Sequence, residues 1–134
     1  MEIIGNGVDI IKNSRIKIAI KNKNFITRLF TKSEIIASKK IKNKVNFFAK
    51  RFAAKEAFVK AIGFGFRKNI NFKDISVVKN KFGKPDIKLS SKIKKVLVKY
   101  YKIKRLNIYL SLADEKDYSI SYVIVKKTKW IKLF

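Results

Sequence analysis

Hydrophobic and polar positions change rhythm along the chain, and each rhythm predicts an element. From Ile3 to Ile11 the residues are β-rich, with Gly5, Gly7 and Asp9 on one face and Ile4, Val8 and Ile10 on the other, as in a strand. From Asn13 or Ser14 to about Leu29 the period becomes helical, and Ile16, Ala19 and Ile20 form its apolar stripe. "TKSE", Thr31 to Glu34, has the form of a capping box opening a second short helix. Lysine-rich "KKIKNKVN", 39–46, predicts a mobile connection. "FFAKRFAAKEAFVKAIGFG", 47–65, then predicts a helix that ends in a glycine pair.

The second half has shorter periods. "DISVVKNKFGKPDIKL" predicts two strands around a loop containing Gly83 and Pro85. "SSKIKKVLVKYYKI" predicts an amphipathic helix with Ile93, Val96, Leu97 and Tyr100 on one side and lysines on the other. In "LNIYLSLADEKDYSISYVIV" the residues Leu106, Ile108, Leu110 and Leu112 alternate inward, and "ADEKD" supplies the turn of a hairpin. Residues 126–134, "KKTKWIKLF", form a basic tail that packs Trp130 or frays. Strands that pair locally, interrupted by helices, predict a single α+β domain over 1–134 with a largely antiparallel sheet packed with helices.

Composition narrows the chemistry. At 134 residues the chain suffices for one core and not for two. Cysteine and histidine are both absent, which removes disulfides, thiolate sites and the usual general base. Any metal would sit among oxygen ligands, favouring magnesium, calcium or manganese over zinc. No apolar run approaches the ~20 residues of a membrane span, and the start "MEIIGNGVDI" lacks a signal-peptide layout, so a cytoplasmic protein with no membrane partner is expected. Lys and Arg number 34 against 9 Asp and Glu, a net charge of +25 that attracts acidic partners of several kinds. The abundance of Lys, Ile, Asn and Phe resembles a codon bias towards A and T, which accounts for part of that charge.

Against this background Glu56 stands alone as an acid in its helix. At helical spacing Ala49, Ala53, Ala57 and Ala61 make a ridge of small residues that admits close approach, within or between chains. The adjacent ridge runs Phe48, Phe52, Glu56, Lys60. An ordinary Glu-to-Lys pair one turn apart explains Glu56 by itself. A second carboxylate, Asp9, lies on a glycine-lined strand face where a ligand could come near the backbone. Two acids with cations around them are what a magnesium-bound polyphosphate needs: Lys60 with Arg51 and Lys55 to neutralise phosphate, and Gly63 and Gly65 to let it approach the main chain.

In order, "GNGVDIIKNSR", "RLFTKSE", "FFAKRFAAKEAFVKAIGFG", "FGKPDIKL" and "LSLADEKDYSISYVIV" resemble the motifs of holo-acyl-carrier-protein synthases, the bacterial 4′-phosphopantetheinyl transferases. The resemblance runs from Gly5 to about Val125. It implies the phosphopantetheinyl transferase fold and transfer of the 4′-phosphopantetheine arm of coenzyme A, a co-substrate, to a serine of an acyl carrier protein, releasing adenosine 3′,5′-bisphosphate. It also implies that Asp9 and Glu56 bind Mg²⁺, that Lys60 steadies phosphate, and that Glu56, directly or through water, takes the serine proton. Arg51, Lys55, Lys84, Pro85 and Ser111 become candidates for the nucleotide end of coenzyme A, each with an ordinary alternative as exposed charge, turn proline or strand serine. Glu34 reads as the capping-box acid, and Asp114, Glu115 and Asp117 as a solvated turn. Many relatives carry a histidine where this chain has Ala113, which removes one possible phosphate contact. An acidic carrier protein would dock on Arg15, Lys21 and Arg28, and the family implies a homotrimer with active sites between subunits. Two alternatives stand beside this reading: a small basic RNA-binding protein, although no aromatic-basic ribonucleoprotein motif is present, and a coenzyme A-binding module without turnover.

Overall fold

The computed structural model describes residues 2–129. Strand β1 (Glu2–Lys12) leads into three short helices, α1 (Asn13–Ala19), α2 (Lys23–Leu29) and α3 (Lys32–Ser38), and then the long helix α4 (Lys44–Ile62). A 3-10 turn at Phe72–Asp74 precedes the hairpin β2 (Ile75–Lys79) and β3 (Pro85–Leu89). Helix α5 (Ser91–Tyr101) and the hairpin β4 (Ile103–Asp114) and β5 (Tyr118–Lys129) complete the order. β5 is the centre of an antiparallel three-stranded sheet, β1-β5-β4, while β2 and β3 form a separate two-stranded sheet among the described residues. The α+β class is as predicted. Among the described residues no helix is long and apolar enough to cross a membrane.

Helix α4 lies across β1 and β5, and its small-residue ridge explains how closely. Ala49, Ala53, Ala57 and Ala61 are all buried. A methyl group at Gly7 would stand 1.9 Å from the Ala57 carbonyl oxygen, and one at Gly5 would stand 2.1 Å from that of Ala61. The ridge therefore packs within the chain, helix backbone against strand backbone. This corrects the expectation that the glycine face of β1 admits a ligand: α4 fills it. Two buried clusters flank the helix. One joins Phe58, Ile62, Ile75, Ile93 and Leu97 with Val123 and Val125 of β5, and the other gathers Ile16, Phe30, Phe47 and Phe48. Each such side chain removed from water stabilises the fold by roughly 1.5–3 kcal/mol.

Several boundaries differ from those predicted. The first helix divides, because the Asn22 side chain accepts the Asn24 N–H at 2.9 Å and starts a new helix there. Residues 39–43 form a bonded turn instead of a free connection, with Lys44 Nζ donating to the Ser38 and Ile41 carbonyls and Asn43 capping α4. Tyr100 is exposed at the edge of α5, and its neighbour Tyr101 reaches the core to hydrogen-bond the Ile62 carbonyl. Residues 126–129 of the expected tail belong to β5, which continues to Lys129; Trp130 lies outside the described residues.

Candidate functional site

Along β1 alternate residues face α4, and Asp9 follows Gly5 and Gly7 on that side. Along α4, Glu56 sits beside the buried alanine ridge and stays half-buried at the edge of the β1–α4 seam. Lys60, one turn later, extends its ammonium across the seam to Asp9 Oδ1 at 3.1 Å and the Val8 carbonyl at 2.9 Å. The expected Glu56–Lys60 pair is thus replaced by a Lys60–Asp9 pair in which Lys60 remains about half exposed and Asp9 is largely covered. Glu56 forms no ion pair among the described residues. Burial first, and the negative charge of Asp9 second, hold its carboxyl above the ordinary value, with Lys60 pulling the other way.

Two carboxylates converge here from β1 and α4, and the negative charge of Asp9 repels that of Glu56. A cation placed between them would relieve that repulsion. The donor set is all oxygen and suits a hard divalent ion. Among the described residues no group of three or more acidic or sulfur and imidazole ligands occurs, so such an ion would complete its shell with water or phosphate oxygens. Ser121, the register partner of Asp9, has on the same face a buried hydroxyl without a hydrogen-bond partner among the described residues.

A second centre forms five residues earlier on α4, about 7.5 Å along its axis. Arg51 is only 5% exposed, its guanidinium lying 3.4 Å over the Phe47 ring. Nη1 donates to the Phe47 carbonyl at 3.2 Å, while Nε is buried without a partner among the described residues. Burial pushes its pKa down to about 10 against the pull of Glu34, so the charge is held at a cost that an anion would offset. Arg51 lines a cleft of about 340 Å³ together with Lys50, Lys79, Asn46 and Pro85. Of these, Lys50 lies inside the α4 motif without being singled out, and Asn46 and Lys79 lie outside the family motifs; folding of the β2–β3 hairpin against α4 brings Lys79 and Pro85 to the α4 residues. Asp114 borders the same cleft, bonded to Asn46 at 2.8 Å and to Lys50 at 3.3 Å, so it is not a purely solvated turn residue.

The remaining candidates scatter. Lys55 does not face a phosphate: it is fully buried and donates to Glu34 Oε1 at 2.7 Å, the Leu29 carbonyl at 2.7 Å and the Phe72 carbonyl at 3.2 Å. Glu34 does form the predicted capping box with Thr31, and it also accepts from Val77 N–H. Lys84 is exposed in the β2–β3 turn beside Pro85, the residue that reaches the Arg51 cleft. Gly63 ends α4 with φ 81°, and Gly65 follows at φ 60°, both left-handed conformations that glycine adopts without strain. Ser111 lies on the opposite sheet face from Asp9, because Asp9, Ser121 and Leu112 form one cross-strand row. Arg15, Lys21 and Arg28 are exposed on α1, the following turn and α2.

Comparison with known proteins bears on this arrangement. The sequence profile of the 4′-phosphopantetheinyl transferase superfamily matches residues 5–123. The holo-(acyl-carrier-protein) synthase of Pelagibacter ubique strain HTCC1062 is 57% identical over 127 residues, covering 95% of this chain and 99% of that protein. A synthase of the same name from Neisseria meningitidis superposes with a TM-score of 0.82 at 35% identity, covering 93% of this chain and 99% of the other. The Bacillus anthracis synthase, solved in complex with CoA (3′,5′-ADP), gives 0.78 at 31% identity over 96% and 100%.

Proposed function

The chain belongs to the holo-acyl-carrier-protein synthase family of 4′-phosphopantetheinyl transferases, and from that premise we propose how its residues divide the work. The enzyme transfers phosphopantetheine to acyl carrier protein, with coenzyme A as co-substrate. In our reading a serine oxygen of the apo carrier bonds to the phosphorus that bears the pantetheine arm. The pyrophosphate P–O bond breaks, and adenosine 3′,5′-bisphosphate leaves. Glu56 takes the serine proton, directly or through an intervening water.

Asp9 and Glu56 would hold Mg²⁺, which when bound neutralises charge on the pyrophosphate and orients it. Lys60 spends two of its three N–H donors on Val8 and Asp9, and its exposed side offers the third to phosphate. The Arg51 cleft is the candidate seat of the nucleotide end, with its orphaned Nε–H, Lys79 and, at the hairpin, Lys84 and Pro85. The turn at Gly63 and Gly65 leaves the main chain open to phosphate beyond α4. Arg15, Lys21 and Arg28 are the docking candidates for an acidic carrier protein. Neither RNA binding nor a non-catalytic module is favoured.

We further propose a homotrimer whose sites lie between subunits. The face of the β1-β5-β4 sheet turned away from α4 exposes Val8 at 48%, Ile10 at 60%, Ile120 at 38% and Tyr122 at 41%. Val8 opposes Tyr122 and Ile10 opposes Ile120 in register, so they form one continuous apolar patch of the kind that marks an interface. Ser111 and Ala113 lie on this face, where a neighbouring subunit would meet them.

The convergence of Asp9, Glu56 and Lys60 at the β1–α4 seam carries this reading. Intact-mass spectrometry of an apo carrier protein incubated with the enzyme, coenzyme A and Mg²⁺ tests it. The carrier should gain the mass of one phosphopantetheine arm, and the gain should disappear with chelator and in Asp9→Ala and Glu56→Ala. Full transfer by both variants would assign the chemistry to other residues.

A further inference from the structure

Between β3, α5 and β4 lies a cleft of about 540 Å³ that shares no residue with the Asp9–Glu56–Lys60 cluster or with the Arg51 cleft. It exists because β3 lies beside β4 without pairing with it, leaving a gap between the two sheets. The gap has the size of a small-molecule site. Its floor consists of Ile87, Leu89, Leu97 and Ile103, all buried and all without a polar side-chain atom. A ligand that needs hydrogen bonds to its body, such as a nucleobase or a sugar, finds no side-chain partner there.

The rim differs in kind from the floor. Lys88, Lys94 and Arg105 are exposed around the opening, and none of them is in an ion pair with a described residue. The one acid at the rim, Asp86, accepts the N–H of Ile87 at 2.8 Å, so part of its charge is directed into its own backbone. An apolar trough with three unpaired cations at its mouth complements a molecule that is aliphatic along its length and anionic at one end. We propose that this cleft binds a linear aliphatic anion of the class of a medium-chain fatty carboxylate, at a site separate from the transferase centre. The methylenes lie on the Leu97–Ile103 floor, and the carboxylate meets Lys94 and Arg105.

Calorimetric titration of the full chain with octanoate, decanoate and dodecanoate, below their micelle concentrations, tests the assignment. Affinity should rise about fourfold per added methylene until the trough is full. The double variant Lys94→Glu/Arg105→Glu should weaken dodecanoate binding about tenfold and leave dodecanol binding unchanged. Lys39→Glu/Lys42→Glu, which alters net charge equally on exposed residues elsewhere, should leave both unchanged. The proposal fails if dodecanoate does not bind, or if dodecyltrimethylammonium binds as well. It fails equally if the control pair weakens binding as much as the rim pair, since the overall charge would then be responsible. Displacement of dodecanoate by coenzyme A also overturns it, because the cleft would then belong to the transferase centre.

Discussion

Lys55 and Lys60 stand five positions apart on one helix, yet their surroundings give them opposite work. Lys60 keeps its ammonium at the surface of the seam, and Lys55 is sealed among Glu34, Leu29 and Phe72. Burial holds the Lys55 pKa below the ordinary lysine value while Glu34 draws it back up. A buried ion pair with every proton satisfied adds little net stability over an apolar pair, but removing one partner leaves an uncompensated charge. Lys55→Met should therefore destabilise the protein by about 3–5 kcal/mol in urea unfolding, and Glu34→Gln/Lys55→Met should recover part of the loss. A single variant as stable as the parent would show that Glu34 finds other compensation. The spacing that places Lys55 on a helix says nothing of what covers it, because its partners come from α2, α3 and the 3-10 turn. Asp9, by contrast, was legible as an acid in a strand that disfavours it, and Glu56 as the lone acid of a basic helix. Arg51 was legible as a cation and not as a buried one.

Elements with strong local signals match their prediction closely: the Thr31 box, the α4 glycine stop, the β2–β3 loop and the turn at 115–117 inside the predicted 113–117. Failures occur where a side chain competes with the periodic pattern. Asn22 divides the first helix because its carboxamide caps a new one more readily than it continues the old, although the apolar stripe runs on. A further element-scale device joins the 3-10 turn to α5. Asp74 Oδ2 accepts Asn71 N–H at 2.8 Å and the Lys92 ammonium at 2.9 Å, and Oδ1 accepts the hydroxyl of Ser90, the α5 N-cap, at 2.8 Å. Burial works to raise its pKa, but the three hydrogen bonds outweigh it and leave the carboxyl below its ordinary value. The unfolded chain therefore binds this proton first as pH falls, so the stabilisation is complete above the ordinary carboxylate pKa and is lost as pH drops below it. Asp74→Asn should lower the melting temperature clearly at pH 7 and much less at pH 3. An equal deficit at both values would mean that ionisation of Asp74 does not contribute.

On the scale of the whole molecule, two surfaces call for a partner. The apolar sheet face predicts that Tyr122→Asp, an outward and exposed position, yields a folded monomer by sedimentation with transfer activity lost. A variant that still sediments as a trimer would place the interface elsewhere. The net charge of +25 predicts salt-sensitive encounter with an acidic carrier. Arg15→Glu should raise KM for the carrier and flatten its salt dependence while KM for coenzyme A stays nearly constant. Equal loss for both substrates would dissociate Arg15 from docking. The sheet face could not be drawn from the sequence alone, since the strand pattern names an apolar face without saying that it remains uncovered, whereas the basic face was named there residue by residue.

The contact between β1 and α4 has a consequence for how this protein tolerates change. At Gly5 and Gly7 the helix carbonyls leave no room even for a methyl group, so the gap between strand and helix is fixed by main chain on both sides. Asp9 and Glu56 are mounted on those two backbones, and their separation inherits that fixed spacing. Side chains elsewhere can drift towards lysine, isoleucine and phenylalanine, as this composition suggests they have, without moving one acid relative to the other. A lineage under relentless nucleotide bias could thus rewrite most of its surface and much of its core while the distance between these two acids stayed constant. The residues held against that drift would be two glycines and the alanines they touch.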